Sequence, residues 1–335
     1  MTIAIGGRRV GPGEPCFIVA ELSGNHNGDL GRALATLRAA REAGAHAIKL
    51  QTYTADTLTI RSDRPDFVVR GDGPWAGRTL HDLYQEAHTP WEWHEPLFAE
   101  ADRLGLPIFS TPFDAGAVEL LELLDAPAHK IASFELVYDD LLEVVARTGK
   151  PVILSTGMAD LEEIAHAVTV LRQGGVRNLI VLKCTSSYPA PDDSMDLATI
   201  PLLAAVTGCP AGLSDHSRGI VAPVAAVCHG AVMIEKHFTL DRSAGGVDAH
   251  FSLEPAEFRE LVEAVGRARP AELVVVSRDL ARAAEVADTL APGLGRAGAV
   301  AEAGAMDVVV NATPSTVSLP VQPRVGGLDV DKVRR

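Results

Sequence analysis

Lysine is scarce in this chain, with six residues in 335, and acidic side chains outnumber basic ones 44 to 30, for a formal charge of −14. The excess sits at the front: residues 1–269 hold 23 Lys and Arg against 36 Asp and Glu, and residues 270–335 hold 7 against 8. A chain without a basic stripe is a poor match for nucleic acid or an anionic membrane, so neither is expected as a partner. Cysteine is also sparse. Cys16, Cys184, Cys209 and Cys228 show no C-x-x-C spacing, and Cys16, Cys184 and Cys228 lie in or beside apolar segments, so reduced core thiols are expected. No apolar run reaches the length of a membrane span, and residues 1–10 carry no apolar signal core, which together lead to the expectation of a cytoplasmic protein. The length suits one barrel of roughly 250 residues with a small appendage, or two medium domains.

What the chain has is a regular alternation. Short apolar runs occur at Cys16–Leu22, Ala45–Gln51, Pro107–Pro112, Ala128–Ser133, Pro151–Thr156, Leu179–Cys184, Ala211–His216 and Ala231–Phe238. Helical patterns lie near Leu30–Ala43, Pro90–Leu104, Ala115–Leu124, Asp139–Thr148, Leu161–Gln173, Met195–Val206, Gly219–His229 and Glu254–Ala268. Eight βα units in succession predict an α/β fold, a (β/α)8 TIM barrel over residues 1–269 with its active site at the strand C-termini. Thr89-Pro90-Trp91-Glu92 reads as a capping box with proline at the first helical position, which makes Trp91 and Trp93 packing residues. Thr52–His88 is too long for an ordinary connection and is expected to cover the barrel mouth as a loop or lid.

The strand ends are polar where the strand bodies are not. Leu213-Ser214-Asp215-His216 and Ile234-Glu235-Lys236-His237-Phe238 each end an apolar run, with a helical stretch between them. Adjacent parallel strands lie roughly 4.8 Å apart, which brings His216 and His237 within reach of one ion; two satisfied histidines are the alternative. Two imidazoles with oxygen donors suit a labile divalent cation such as Mn²⁺ or Mg²⁺, with Zn²⁺ also compatible. Four of the six lysines, Lys49, Lys130, Lys183 and Lys236, fall inside apolar strands. A buried ammonium needs a partner anion. That anion is either a structural carboxylate from Glu21, Glu135 or Glu235, or a bound phosphate and carboxylate helped by the hydroxyls of Thr111, Ser133, Ser155 and Ser214. Alternation turns Lys236 away from the side that His237 faces.

These stretches resemble the sialic acid synthase family: Ala20-Glu21-Leu22-Ser23-Gly24-Asn25-His26-Asn27-Gly28, Lys49-Leu50-Gln51, Ser110-Thr111-Pro112-Phe113-Asp114, Lys130-Ile131-Ala132-Ser133-Phe134-Glu135, Leu154-Ser155-Thr156-Gly157-Met158, Lys183-Cys184-Thr185-Ser186-Ser187-Tyr188-Pro189 and the two histidine motifs. Glu86–His94 and Phe251–Pro255 resemble its pseudaminic acid synthase branch most. The resemblance, over about residues 3–268, implies condensation of phosphoenolpyruvate with open-chain 2,4-diacetamido-2,4,6-trideoxy-L-altrose and release of phosphate; N-acetylneuraminate or legionaminate synthesis is the alternative within the family. It implies Mn²⁺ on His216 and His237 and phosphoenolpyruvate on Lys49, Thr111, Lys130, Ser133, Ser155 and Ser214. It further implies the amino sugar on Gln51, Glu135, Tyr188 and Asp248, and an acid/base role for Glu21. Lys183, by its place in a strand end, joins the expected substrate-binding set.

Residues 270–335 do not resemble the small antifreeze-like domain that usually follows in the family, and the family's homodimer and the chain's turnover are in question for that reason. Glu272–Asp279, an Ala-rich helix and Met306–Pro314 instead resemble a fragment of a shikimate-dehydrogenase-like domain, too small for a core of its own. Gly293-Leu294-Gly295-Arg296-Ala297-Gly298 is formally G-x-G-x-x-G, but it follows a helix and an Ala-Pro pair where a dinucleotide turn must follow a strand. A nicotinamide-dependent oxidoreductase and an inactive ligand-binding barrel are therefore the competing readings.

Overall fold

A computed structural model describes residues 1–71, 73 and 75–268, together with the strand backbones at 273–276, 295–298 and 309–311. The chain divides into two compact units, Met1–Arg267 and Ala268–Arg335.

The first unit opens with a hairpin, β1 (Ile3–Ile5) and β2 (Arg8–Val10), joined through Gly6-Gly7, both at positive φ as a tight two-residue turn requires. The eight strands that follow are β3 (Phe17–Glu21), β4 (Ala47–Thr52), β5 (Ile108–Pro112), β6 (His129–Ile131), β7 (Val152–Ser155), β8 (Leu179–Cys184), β9 (Ala211–Asp215) and β10 (Met233–His237). Each pairs in parallel with the next, and β10 pairs with β3 to close the ring. The expected (β/α)8 barrel is what forms. Its strands are apolar runs because the barrel interior takes one face and the helices cover the other.

Among the described residues ten α-helices accompany them: α1 (Leu30–Glu42), α2 (Ala55–Leu58), α3 (Leu80–Ala87), α4 (His94–Arg103), α5 (Ala115–Leu123), α6 (Asp139–Arg147), α7 (Leu161–Gln173), α8 (Thr199–Thr207), α9 (Val221–Cys228) and α10 (Pro255–Arg267). Asp29 caps α1 through Arg32 N at 2.6 Å, Asp114 caps α5 through Ala117 N at 2.9 Å, and Asp160 with Glu163 forms a capping box on α7. The expected capping box at Thr89–Glu92 does not form. Pro90 precedes a 3-10 turn at Trp91–Trp93, and α4 begins only at His94 without a side-chain cap. Trp93 does pack, edge-on to His26 with ring centroids 5.3 Å apart.

Inside the ring, Phe17, Val19, Ala47, Phe109, Ile153, Ile180, Leu182 and Met233 make the core, and Ile3, Ile5 and Val10 of the hairpin join the same cluster. Because these core residues precede the polar strand ends, the hairpin packs against the N-terminal end of the barrel. Chemistry is left to the other end.

The segment Thr52–His88 is only partly a loop. It contains α2, capped by Thr54, a 3-10 turn at Pro65–Phe67, a Val68–Thr79 bridge and α3, capped by Thr79. Cys184 and Cys209 are buried, Cys16 is half-buried and Cys228, expected in the core, is exposed at the end of α9; all four are free thiols. Among the described residues no helix is long and apolar enough to cross a membrane.

In the second unit, β11 (Leu273–Val276) lies between β12 (Gly295–Gly298) and β13 (Val309–Asn311) in a parallel sheet. The end of the G-x-G-x-x-G pattern is thus itself a strand, whereas a dinucleotide turn needs it to link a strand to a helix. The Ala-rich helix expected between β11 and β13 lies outside the described residues.

Candidate active site

Period-two alternation selects which residues face the barrel interior. On β3, Val19 belongs to the core and Glu21 follows it; on β4, Ala47 leads to Lys49 and Gln51; on β10, Met233 leads to Glu235 and His237. Register places Glu21 opposite His237, and Glu235 opposite both Val19 and Ser214.

These inward residues form one network. Lys49 Nζ lies 2.6 Å from Glu21 Oε2 and 3.5 Å from Glu235 Oε1, and it donates to Thr111 Oγ1 at 3.3 Å. Lys130 Nζ is 3.6 Å from the same Glu235 oxygen, which also accepts from Ser214 Oγ at 3.0 Å. Glu21 Oε1 accepts from Gln51 Nε2 at 3.0 Å and Ser23 N at 3.1 Å. All four charged side chains are at most 5 % exposed. Burial lowers the affinity of Lys130 for its proton, whereas at Lys49 Glu21 and Glu235 outweigh burial and raise it. Burial raises the Glu21 carboxyl above the usual range; at Glu235 burial acts the same way, but Lys130 and Lys49 overcome it and hold that carboxyl low. The buried ammonium groups therefore do have carboxylate partners, and Glu235, one of the three candidate counter-ions in the sequence but not among the expected catalytic or substrate-binding residues, is the one they share. Only distance across the barrel reveals that.

Polar atoms without partners border this network. Ser155 Oγ, Glu235 Oε2 and Ser186 Oγ are buried and unpaired. Ser133 Oγ accepts from Gly157 N at 3.0 Å, and a Cβ on Gly157 would sit 2.4 Å from Ser186 Oγ and 2.8 Å from Ser133 Oγ. Buried hydroxyls left open and a glycine where no side chain fits describe a cradle for an anion.

His216 and His237 stand on adjacent strands, ring centroids 5.3 Å apart. Nδ1 of His216 donates to Thr185 O at 3.0 Å, and Nδ1 of His237 lies 3.2 Å from Ser23 Oγ and 3.8 Å from Asp248 Oδ2. Each imidazole therefore keeps Nε2 free. Burial, then His216 and Lys49, hold His237 well below its usual range, in the neutral form that ligates metals. Among the described residues no group of three or more His, Cys, Asp and Glu forms a metal cage. Two oriented imidazoles fit a cation that takes its remaining ligands from water or substrate, rather than a closed structural zinc site.

The rim of the mouth carries the remaining expected residues. Tyr188, half-buried before a cis Tyr188–Pro189 bond, lies 4.3 Å from the His216 ring. Glu135 is raised to about 7 by burial, and its Oε2 has no partner. Asp248, also raised by burial, precedes the 3-10 turn Ala249–Phe251. Cys184 lies 3.9 Å from His216 Nδ1; burial pushes its thiol up, and His216 and Ser133 bring it down to about 7.

Two lysines stand apart. Lys236 faces outward, as alternation predicts, and binds Asp215 Oδ2 at 2.5 Å and the carbonyl of Ser217. Lys183, expected with the substrate-binding set, is not brought to it: it alternates with the inward Leu182 and Cys184, and its Nζ donates to Cys184 O at 3.1 Å and Thr185 Oγ1 at 3.3 Å.

A closed parallel barrel whose C-terminal mouth gathers buried lysines, carboxylates and imidazoles is the architecture of a barrel enzyme. Within that class the chain belongs to the NeuB family, which it matches over residues 36–273. It is 46 % identical over 255 residues to pseudaminic acid synthase of Campylobacter jejuni, covering 76 % of this chain and 74 % of that one. To pseudaminic acid synthase of Helicobacter pylori it is 45 % identical, covering 75 % and 74 %. Among solved structures, N-acetylneuraminic acid (sialic acid) synthetase of Leptospira borgpetersenii superposes with a TM-score of 0.73 at 34 % identity, covering 80 % of this chain and 89 % of the other. A truncated 3-deoxy-D-arabino-heptulosonate 7-phosphate synthase from Thermotoga maritima shares the fold, at 17 % identity and a TM-score of 0.60, over 80 % and 91 %.

Proposed function

We propose that the chain is a pseudaminic acid synthase, condensing phosphoenolpyruvate with 2,4-diacetamido-2,4,6-trideoxy-L-altrose. The observation that carries this reading is the approach of Lys49 and Lys130 to one oxygen of Glu235, at 3.5 and 3.6 Å, on a residue two positions before His237 on the same strand. Lys49 and Lys130, with the hydroxyls of Thr111, Ser133, Ser155 and Ser214, hold the phosphate and carboxylate of phosphoenolpyruvate. Gln51, Glu135, Tyr188 and Asp248 line the amino-sugar side.

His216 and His237 are the residues that would hold a divalent cation, Mn²⁺ in the first instance, with Mg²⁺ and Zn²⁺ as alternatives; Lewis-acid polarisation of the sugar aldehyde is the chemistry it supplies when bound. With both substrates oriented, the π electrons of the enol form the bond from its C3 to the aldehyde carbon, and the aldehyde oxygen takes a proton. Water adds to the cationic C2 and gives up a proton; the resulting C2 hydroxyl forms the ketone C=O, releasing its proton, as the phosphate leaves with the electrons of its C–O bond. Glu21, opposite His237 and 2.6 Å from Lys49, is placed to exchange a proton with that water or with the new alkoxide.

Phosphate release from phosphoenolpyruvate, measured with each acetamido sugar and with or without Mn²⁺, tests the assignment. Release with the L-altrose derivative is expected. Release only with an N-acetylmannosamine-type sugar moves the chain to the neuraminate or legionaminate branch, and no release with any sugar overturns the reading.

A further inference from the structure

Trp75 lies in the segment between β4 and α4, at the tip of a small tongue. The tongue's base is the Val68–Thr79 bridge, with Val69 N donating to Arg78 O and Gly77 N to Val69 O, each at 2.9 Å. Arg78 pairs with Glu86 at 2.6 Å, tying that base to α3. The tip reaches a distant part of the chain: Trp75 Nε1 donates to Val247 O at 2.8 Å, and Val247 immediately precedes Asp248. The half-buried indole also lies 5.9 Å from the Tyr188 ring and 5.6 Å from the His250 ring, centroid to centroid. His250 Nε2 is 3.4 Å from Tyr188 O, so the three loops after β4, β8 and β10 meet at this one side chain.

We propose that Trp75 is a positioning residue for the amino-sugar half of the site, an inference that rests on the function proposed above. Its indole N–H fixes the backbone next to Asp248, and its ring fixes the side chain of Tyr188. It has no recorded contact with Lys49, Lys130, Glu21 or Glu235, which form the phosphoenolpyruvate half. Its removal therefore loosens one substrate's subsite and leaves the other in place.

Trp75→Phe keeps an aromatic ring and loses the N–H bond; a hydrogen bond of ordinary strength predicts a rise of roughly 3- to 10-fold in the sugar's KM. Trp75→Ala loses both and is expected to raise that KM by roughly 10- to 100-fold, with the calorimetric affinity for phosphoenolpyruvate changed by less than about 3-fold. The intermediate position of Trp75→Phe is the signature of positioning, since a general collapse of the mouth would weaken both substrates together. Turnover by the parent chain with an unchanged sugar KM in Trp75→Ala overturns the positioning role alone, as does equal loss of affinity for both substrates in Trp75→Phe. A parent chain that releases no phosphate with any acetamido sugar overturns the function, and the positioning role falls with it.

Discussion

Glu235 and Lys236 are neighbours on β10 and serve opposite sides of the barrel wall. Glu235 turns inward between Lys49 and Lys130, and Lys236 turns outward to Asp215. Both are buried ion pairs, but the inner one faces the barrel mouth with its two imidazoles, whereas the outer one is enclosed by the backbone of Ser217. Their substitution should therefore separate stability from activity.

For the outer pair, Lys236→Met strands the Asp215 carboxylate in a fully buried position. Breaking a buried pair from one side costs about 3–5 kcal/mol. Denaturant unfolding should show that loss, while the folded fraction retains the parent KM for phosphoenolpyruvate. Lys49→Met should do the reverse in activity, abolishing turnover. Loss of phosphoenolpyruvate affinity in Lys236→Met would mean that the outer pair reaches the site.

For the inner network, Glu235→Gln preserves an acceptor for Ser214 and removes the charge shared by Lys49 and Lys130. Among the described residues Lys130 then has no carboxylate within ion-pair distance, so thermal stability should fall. Millimolar phosphoenolpyruvate or inorganic phosphate should recover more of the melting temperature in the variant than in the parent chain, because the added anion supplies the missing charge. Equal stabilisation of both by ligand would sink this account of the pocket.

How much of this was legible in the sequence depends on the range of the interaction. The eight barrel strands announce themselves because burial on both faces makes each a short apolar run, and period-two alternation places Lys236 outside. The same rule applied along β8 puts Lys183 beside Leu179 and Val181, away from the inward Leu182 and Cys184, whereas position at a strand end alone groups it with the site. The start of α4 departs from expectation because Thr89-Pro90-Trp91-Glu92 satisfies the composition of a capping box while the chain makes a 3-10 turn first. Ile-Ala-Ile, Gly-Gly and Arg-Arg-Val carry the signal of a hairpin in the sequence itself. Glu235 as the shared counter-charge, and Trp75 as the meeting point of three loops, depend on contacts between residues far apart along the chain, such as Lys49 with Glu235 and Trp75 with Val247, which spacing alone does not encode.

The hairpin gives a second stability prediction. Ile5 is fully buried in the same cluster as Phe17 and Met233. Ile5→Ala should cost about 2–5 kcal/mol, the range for an isoleucine deleted from a packed core. The mouth is at the other end of the strands, so kcat at a temperature well below the transition should hold. A parallel fall in kcat would show that the two ends of the barrel are coupled.

Glu135 sets a pH dependence. Burial raises its carboxyl to about 7 from an ordinary value near 4.5. Below the ordinary value both folded and unfolded chains hold the proton; between about 4.5 and 7 only the folded chain does. Stability from this group is thus complete at low pH and lost as pH rises through that window, by at most about 3 kcal/mol and less to the extent that solvent screens a group not wholly buried. Glu135→Gln has no such titration. The stability of the parent relative to Glu135→Gln should decline from pH 4.5 to 7 in denaturant titrations, and a flat difference would mean that the carboxyl ionises normally.

The two histidines make the sharpest separation of roles. Each Nδ1 is held by an oxygen, Thr185 O for His216 and Ser23 Oγ for His237, so each presents Nε2. Chelation of the parent chain should abolish phosphate release, and added Mn²⁺ should restore it. His237→Ala should fail to respond to Mn²⁺ at any concentration that rescues the parent, because one imidazole with water and substrate oxygens is a far weaker site. Phosphoenolpyruvate affinity by calorimetry should change little in the same variant, since the anion is assigned to Lys49, Lys130 and the hydroxyls beneath. If metal response and phosphoenolpyruvate affinity disappear together, His237 is part of the anion site and the division of the mouth into two halves is wrong.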